Sequence, residues 1–346
     1  MASTDAPATL AELQTDFLEK LKEVTGVTAV NTITTRFLNQ ALQEIHQERW
    51  WWAERHSTIR TIPPYTTGSV DIAITSLTTR RAVTGVSTLW ATANSFTDAN
   101  AVAGYKMTLA NDNAVHRIQT VTNDTSITLD TSTPYLGEDA LDDAGYAIYQ
   151  DEYALASDFD HRLLDTRFFD EECSIELLGA QEFYRLYPKN ATRQRPRHAT
   201  LIALGPSSTV DIRRRILFGP APDASYVIPY RYYTTNLAVS STGTGAANLS
   251  ATTDQPIVPM LYRSLLTWKA LEMWASTRTK LAEAVVIFKT AYQEILARAR
   301  ASTSQADDRP RLVPQVQSYR QGARRPYRKG GVGRFEQAGW DQMGWR

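Results

Sequence analysis

The apolar spacing changes twice along this chain of 346 residues, and any fold it adopts must honour both changes. Leu10, Leu13, Phe17, Leu18, Leu21 and Val24 recur at three- and four-residue steps, the stripe of an amphipathic helix that Gly26 would end. A second helix is expected from Asn31, a cap residue, with Ile33, Phe37, Leu38, Ala41, Leu42 and Ile45 on one face and the run Trp50-Trp51-Trp52 at its end. Consecutive indoles on a helix point in three directions, so they cannot share one narrow core.

From 57 to 150 the period shortens to short β-branched runs at 70–74, 82–86, 106–109, 116–121, 126–129 and 146–150. Gly68, Gly85, Gly104, Asn111-Asp-Asn113 and Asn123-Asp124 punctuate them, as hairpin turns with left-handed backbone require. The spacing predicts a small barrel or sandwich inserted after the helices. Ser157-Asp-Phe-Asp160 reads as a capped helix start, 180–187 as a short helix stopped by Pro188, and 199–204, 209–218 and 226–233 as strands, the last with one wet face. The Ser-, Thr- and Gly-rich stretch 240–253 reads as a flexible loop. After Pro259 the helical period returns, with Leu261, Leu265, Trp268, Leu271, Met273 and Trp274, then Leu281, Val285, Phe288, Tyr292, Ile295 and Leu296. A break is expected near 276–280, giving a helical hairpin or a bent helix.

The fold class that follows is α+β. A helical body is built from N-terminal helices (1–56) and from a second β region with C-terminal helices (151–305). A β-barrel-like module (57–150) is inserted into it, and an extended arm (306–346) follows. Charge supports the last boundary. The 37 basic and 37 acidic residues balance overall, but 309–346 carries nine Arg or Lys against Glu336 and Asp341, leaving 28 basic against 35 acidic elsewhere. A mildly acidic body thus carries a basic tail rich in Pro and Gly, which cannot form a core of its own. Its aromatic residues are costly to leave in water and point to docking on a partner. Phosphate contacts to DNA are the other reading of its arginines.

Motifs for chemistry are missing. The lone Cys173 excludes an internal disulfide framework and a thiolate metal cluster, and reads as a small buried hydrophobe. His46, His56, His116, His161 and His198 lie in no metal-ligand spacing, and the Asp158, Asp160, His161, Asp165 group reads as a solvated helix start. Gly243-Thr-Gly245 lacks the lysine and the glycine spacing of a nucleotide loop, and no nucleophile elbow is present. No cofactor, metal or catalytic residue is expected. No stretch approaches the roughly 18 apolar residues of a membrane span, and the first residues lack the basic and apolar regions of a signal peptide. Acidic residues gather at Glu138, Asp139, Asp142 and Asp143, with Asp151 and Glu152 after the next strand, either as a solvated loop or as part of a negative ring that keeps a phosphate backbone off a channel wall.

Four features in order carry a family resemblance. They are Thr35-Arg-Phe-Leu-Asn-Gln-Ala-Leu-Gln-Glu-Ile45 with its Trp run; the Ser/Thr-rich module with Thr84-Gly85 and Trp90; the return Tyr149-Gln-Asp-Glu-Tyr-Ala-Leu-Ala-Ser-Asp-Phe159; and the closing helix over 261–299. Together they resemble the head-to-tail connector (adaptor) proteins of tailed bacteriophages. The resemblance implies a structural virion protein rather than an enzyme, made in the host cytoplasm and sited in the neck. It implies a homo-oligomeric ring of about a dozen copies beneath the portal protein, extending the DNA channel without sequence-specific binding and offering the next tail component a platform. It also implies a portal-docking arm, here Arg309, Arg311, Tyr319, Arg320, Arg324, Arg325, Tyr327, Arg328, Phe335, Trp340 and Trp345. Trp50, Trp51, Trp52, Trp268 and Trp274 are the aromatic residues expected either in the core or between subunits. A tail-tube or nozzle subunit is the alternative, and a glycan-binding module using Trp90 and Tyr105 is another.

Overall fold

The computed structural model describes residues 7–25, 31–48, 50–94, 99–110, 112, 114–165, 167–169, 174–203 and 214–307. The chain is mixed α and β, with five α-helices and several sheets among the described residues. In chain order come α1 (Leu10–Thr25), α2 (Asn31–His46), β1 (Glu54–Arg60), β2 (Ser69–Ile72), β3 (Ala82–Val86), β4 (Lys106–Leu109), β5 (His116–Asn123) and β6 (Ser126–Leu129). Next are β7 (Leu141–Ala144), β8 (Tyr146–Tyr149), β9 (Glu152–Ala154), β10 (Phe159–Leu163), β11 (Arg167–Phe169), β12 (Ser174–Leu177), α3 (Ala180–Leu186), β13 (His198–Ala203) and β14 (Arg214–Gly219). The series ends with β15 (Val227–Thr234), the two-residue strands β16 (Ala238–Val239), β17 (Gly245–Ala246) and β18 (Gln255–Pro256), then α4 (Ser264–Ser276) and α5 (Ala282–Asp307). Two compact units share these elements, one made of 1–7, 12–41 and 260–346, the other of 8–11 and 42–259. Gly26, Asn111, Asn113, Cys173, positions 209–213 of one expected strand and every residue of the arm named above lie outside the described residues.

In the helical unit, α1 buries Leu13, Phe17 and Leu21, as its spacing requires. On α2 the buried line runs through Thr34 and Leu38, while Ile33, expected on the apolar face, is 40 % exposed. Gln14 donates to the Thr35 hydroxyl at 2.6 Å, and Lys20, ion-paired with Asp16 at 2.7 Å, sits 4.6 Å from the Trp268 ring. A 3₁₀ turn at Met260–Tyr262 precedes α4, so this helix starts later than Pro259 suggests. The expected break is present. The Thr277 hydroxyl donates to the Trp274 carbonyl at 2.7 Å, a second 3₁₀ turn (Thr279–Leu281) follows, and α5 returns alongside α4 with Phe288 6.0 Å from Trp268.

In the other unit, β2 to β8 form one sheet in the order β7-β2-β3-β6-β5-β4-β8, a curled half-barrel. Only Gly145 separates β7 from β8, so one bent stretch of chain pairs with β2 at one end of the sheet and with β4 at the other. Val70, Ile72, Val83, Trp90, Met107, Leu109, Ile118, Ile127, Leu129 and Ile148 fill the core. At roughly 25 cal/mol per Å² of apolar surface removed from water, this burial is the main term holding the module. Gly68, at φ +82°, is needed where the chain enters β2, because a Cβ there would lie 2.3 Å from the Val86 carbonyl oxygen.

A three-stranded sheet (β1-β15-β10) and a five-stranded sheet (β11-β12-β13-β14-β9) share a second core of Ile59, Tyr153, Ile175, Ile216, Phe218, Ile228, Tyr230 and Tyr232. Strand β15 alternates buried and wetter positions, as its sequence suggests. Three expectations need correction. Positions 157–160 open no helix: they form a turn into β10, because Asp158 accepts hydrogen bonds from Tyr232 and Thr234, both at 2.7 Å, and so staples the sheet. The stretch 240–253 is not a free loop, since β16 pairs with β17 on one side and β18 on the other and Leu249 is buried. Small residues allow that tight path, and Asp254 fixes it by accepting from the Ser250 and Ala251 amides at 2.8 and 2.7 Å. Those bonds, the Ser250 amide first, hold its carboxyl below the usual carboxylate range. Finally, α2 stops at His46, so the tryptophans are not helical. Trp50 is extended and Trp51–Ala53 is a 3₁₀ turn leading into β1.

Candidate interaction surfaces

The tryptophan run becomes an elbow because Trp50 ends the helix before it. Its indole Nε1 donates to the Ile45 carbonyl at 2.7 Å, satisfying a last-turn acceptor that would otherwise need water. The ring then stacks on Trp52, centroids 4.4 Å apart and planes 12° from parallel, while Trp51 meets Trp52 edge-on at 5.7 Å. Trp50 and Trp52 are buried within the chain, and Trp51 is 48 % exposed. Trp274 is buried with Arg278 4.1 Å above its ring, and Trp268 is half-buried. Of the expected interface aromatics, Trp51 is the one with a large open face.

Within the half-barrel, Trp90 is fully buried, and its Nε1 donates to the Tyr146 hydroxyl at 3.0 Å. Tyr105 is half-buried and packs against the same core. Neither ring offers an open stacking platform to a sugar. The acidic run is divided by the fold. Glu138 and Asp139 lie in a bend, whereas Asp142 and Asp143 lie on β7, a strand the sequence reading missed because its apolar content is low. All four are exposed. Asp143 accepts from the Ser69 hydroxyl, and its own amide donates to Asp71 at 2.8 Å, so it also fastens β7 to β2.

The most developed polar site is built on Asp151, which the sequence groups with the solvated acidic run and the fold instead buries. Asp151, between β8 and β9, is 2 % exposed and pairs with Lys106 of β4 at 2.6 Å. Asn190, at φ +47°, donates to the same carboxylate oxygen at 2.7 Å and to the Phe218 carbonyl at 2.8 Å. Tyr149 donates to the Asn190 carbonyl at 3.1 Å, and burial pushes its phenol well above the ordinary range. Beside this network a polar cleft of about 180 Å³ is lined by Tyr105, Gln150, Asp151, Glu152 and Arg215, with Arg215 4.0 Å from Glu152. No nucleophile with an adjacent base lines the cleft, and its geometry serves to lock the half-barrel to the five-stranded sheet. The sequence signals were the return segment 149–159 and the acids Asp151 and Glu152 following a strand, none of which points to burial or to Lys106 and Asn190 as partners.

Within the Asp158, Asp160, His161, Asp165 group, two of the carboxylates are engaged elsewhere. Asp158 is consumed by Tyr232 and Thr234, and Asp165 pairs twice with Arg231, at 2.6 and 2.8 Å. Among the described residues, no group of three or more His, Cys, Asp or Glu is placed to hold a metal, and no helix is long and apolar enough to cross a membrane. No protein-family model matches the chain, and no curated protein matches it.

Proposed function

We propose that this chain is a non-enzymatic structural virion protein, a head-to-tail adaptor whose copies form a ring under the portal. The architecture proposed with it is a helical body interrupted by the half-barrel and its neighbouring sheets, and followed by a basic, aromatic arm that docks on the portal. The observation that carries this reading is unpartnered apolar surface on the helical unit. Val286 and Ile287 on α5 are 65 % and 52 % exposed, and Leu261 and Met260, just before α4, are likewise open. Burying each such side chain contributes roughly 1.5 to 3 kcal/mol. A ring supports this use of the surface, because heterologous contacts between identical copies give each helix a neighbour on either side. The exposed Trp51 and the acidic run fit the same assembly as contact and channel-facing candidates. The chain is then expected in the virion neck, with the portal, the next tail component and passing DNA as partners.

Counting this chain against the portal protein by quantitative mass spectrometry of purified virions tests the proposal. A ratio near one to one, about a dozen copies each, is the expected result for two stacked closed rings. A many-fold excess would move the chain to the tail tube, and its absence from virions would end the structural reading.

A further inference from the structure

Arg185 lies on α3, three residues after Glu182, and the link from α3 to β13 (187–197) carries Lys189, Arg193, Arg195 and Arg197 and no Asp or Glu. Its path is fixed. The Gln194 amide donates to the Ala221 carbonyl at 2.9 Å, the Ala221 amide to Thr192 at 3.0 Å, and the Arg197 amide to Gly219 at 3.1 Å. Asn190, held by Asp151 and the Phe218 carbonyl, anchors the same stretch. Two guanidinium groups are oriented by aromatic faces, Arg193 6.0 Å from the Tyr149 ring and Arg195 5.0 Å from Tyr226. Stacking of this kind positions the Arg193 guanidinium without neutralising it.

Arg185, Arg193 and Arg197 are exposed, and among the described residues none of them forms an ion pair with a carboxylate. Cations carried along one pinned segment repel one another, and a bound anion relieves that repulsion. The anchors are spread along the surface, with Arg193 on β8 and β4 through Tyr149 and Thr108, Arg195 on Tyr226, and Arg197 near Tyr187. Such a string of cations suits a ligand with repeated charges better than a single small anion. We propose that Arg185, Arg193 and Arg197 form a contact strip for the phosphodiester backbone of duplex DNA, binding it without reading bases. The strip goes beyond the adaptor reading, giving passing DNA a defined point of contact, and stands whether or not the chain forms rings.

The test is fluorescence anisotropy of a random-sequence DNA duplex with the full chain across a salt series. Each phosphate contact contributes about 0.9 to the slope of log affinity against log salt, so R185Q/R193Q/R197Q should flatten the slope by about 2.7 relative to the unaltered chain. The arm is the same in both proteins and cancels from the difference. R185K/R193K/R197K should keep the slope, which separates loss of charge from loss of fold. A control with equal charge removed elsewhere, K22Q/K289Q/R298Q, should also keep it. An unchanged slope in the glutamine triple, or an equal loss in the control, would overturn the strip. So would competition by polyglutamate as effective as by DNA, which would point to an acidic protein instead. Mass photometry of the same samples reports rings separately, so either idea can fail alone.

Discussion

Asp151 shows how much one buried carboxylate can organise. It joins a lysine from the half-barrel to an asparagine held in left-handed backbone beside the five-stranded sheet. Asp151→Asn leaves the Lys106 ammonium without its counter-charge. Because Lys106 retains some solvent contact, the expected loss is at the lower end of the about 3 to 5 kcal/mol for breaking a buried pair, measured by urea unfolding. Buried phenols set the alkaline limit. Burial, only partly offset by the hydrogen bond from Trp90, pushes Tyr146 from the ordinary 10.0 up to about 12, and burial raises Tyr149, Tyr153 and Tyr232 further. A phenol raised on folding favours its neutral form, so its stabilisation is complete below pH 10.0 and is lost as pH rises through about 12. Tyrosinate absorbance should therefore appear together with loss of near-ultraviolet circular dichroism over that window. Ionisation of these rings in a still-folded chain would contradict their burial. The arrangement of Asp151 was hidden at this scale, as was that of Asp158: an acid after a strand is common, and nothing local announces that Lys106 and Asn190 will meet the one or Tyr232 and Thr234 the other.

Among elements, those with a strong local period were legible. Strands β3, β4 and β6, helix α3 before Pro188, and the hairpin of α4 and α5 all lie where spacing and turn residues put them. The missed elements owe their form to distant partners. Strand β1, Glu54–Arg60, has one buried apolar residue, Ile59, and becomes a strand because it pairs along its whole length with β15. Strand β7 carries two aspartates and is held by β2. The tryptophans mislead for the opposite reason: a helical apolar stripe runs straight into them, but an indole donor at Trp50 supplies the last turn and closes the helix early. Helix α5 tests the assembly. Val286→Glu with Ile287→Glu lies on open surface, so monomer stability should change by no more than about 0.5 kcal/mol per site, while mass photometry should show rings replaced by single chains. Rings that persist unchanged would remove this face from the subunit contact.

For the whole molecule, the question a truncation answers is whether the described cores suffice for folding. The helical unit, the half-barrel and the paired sheets each bury their own apolar residues within 7–307. A chain ending at Asp307 should therefore keep the thermal unfolding midpoint of the full protein within a few degrees, and should lose binding to the portal in pull-down or cryo-electron microscopy of mixed rings. Loss of folding on truncation would make the tail part of the body and end the proposal that it is a docking arm. The surplus of Arg in 309–346, offset by acids elsewhere, is what marks the tail off in the sequence, and the double change of period is what marks the stretch that becomes the half-barrel.

One detail of the half-barrel bears on how such a protein could change over time. Tyr65 and Ile148 exchange both backbone hydrogen bonds, at 2.8 and 2.9 Å, so the chain departs for the module and comes back from it at directly opposed residues. Whatever lies between them is gathered at a closed clasp, with Lys106 reaching back to Asp151 as a second tie. Lineages could enlarge or exchange the outer loops of the module while both ties stay in register, and an engineer could splice a reporter domain into such a loop.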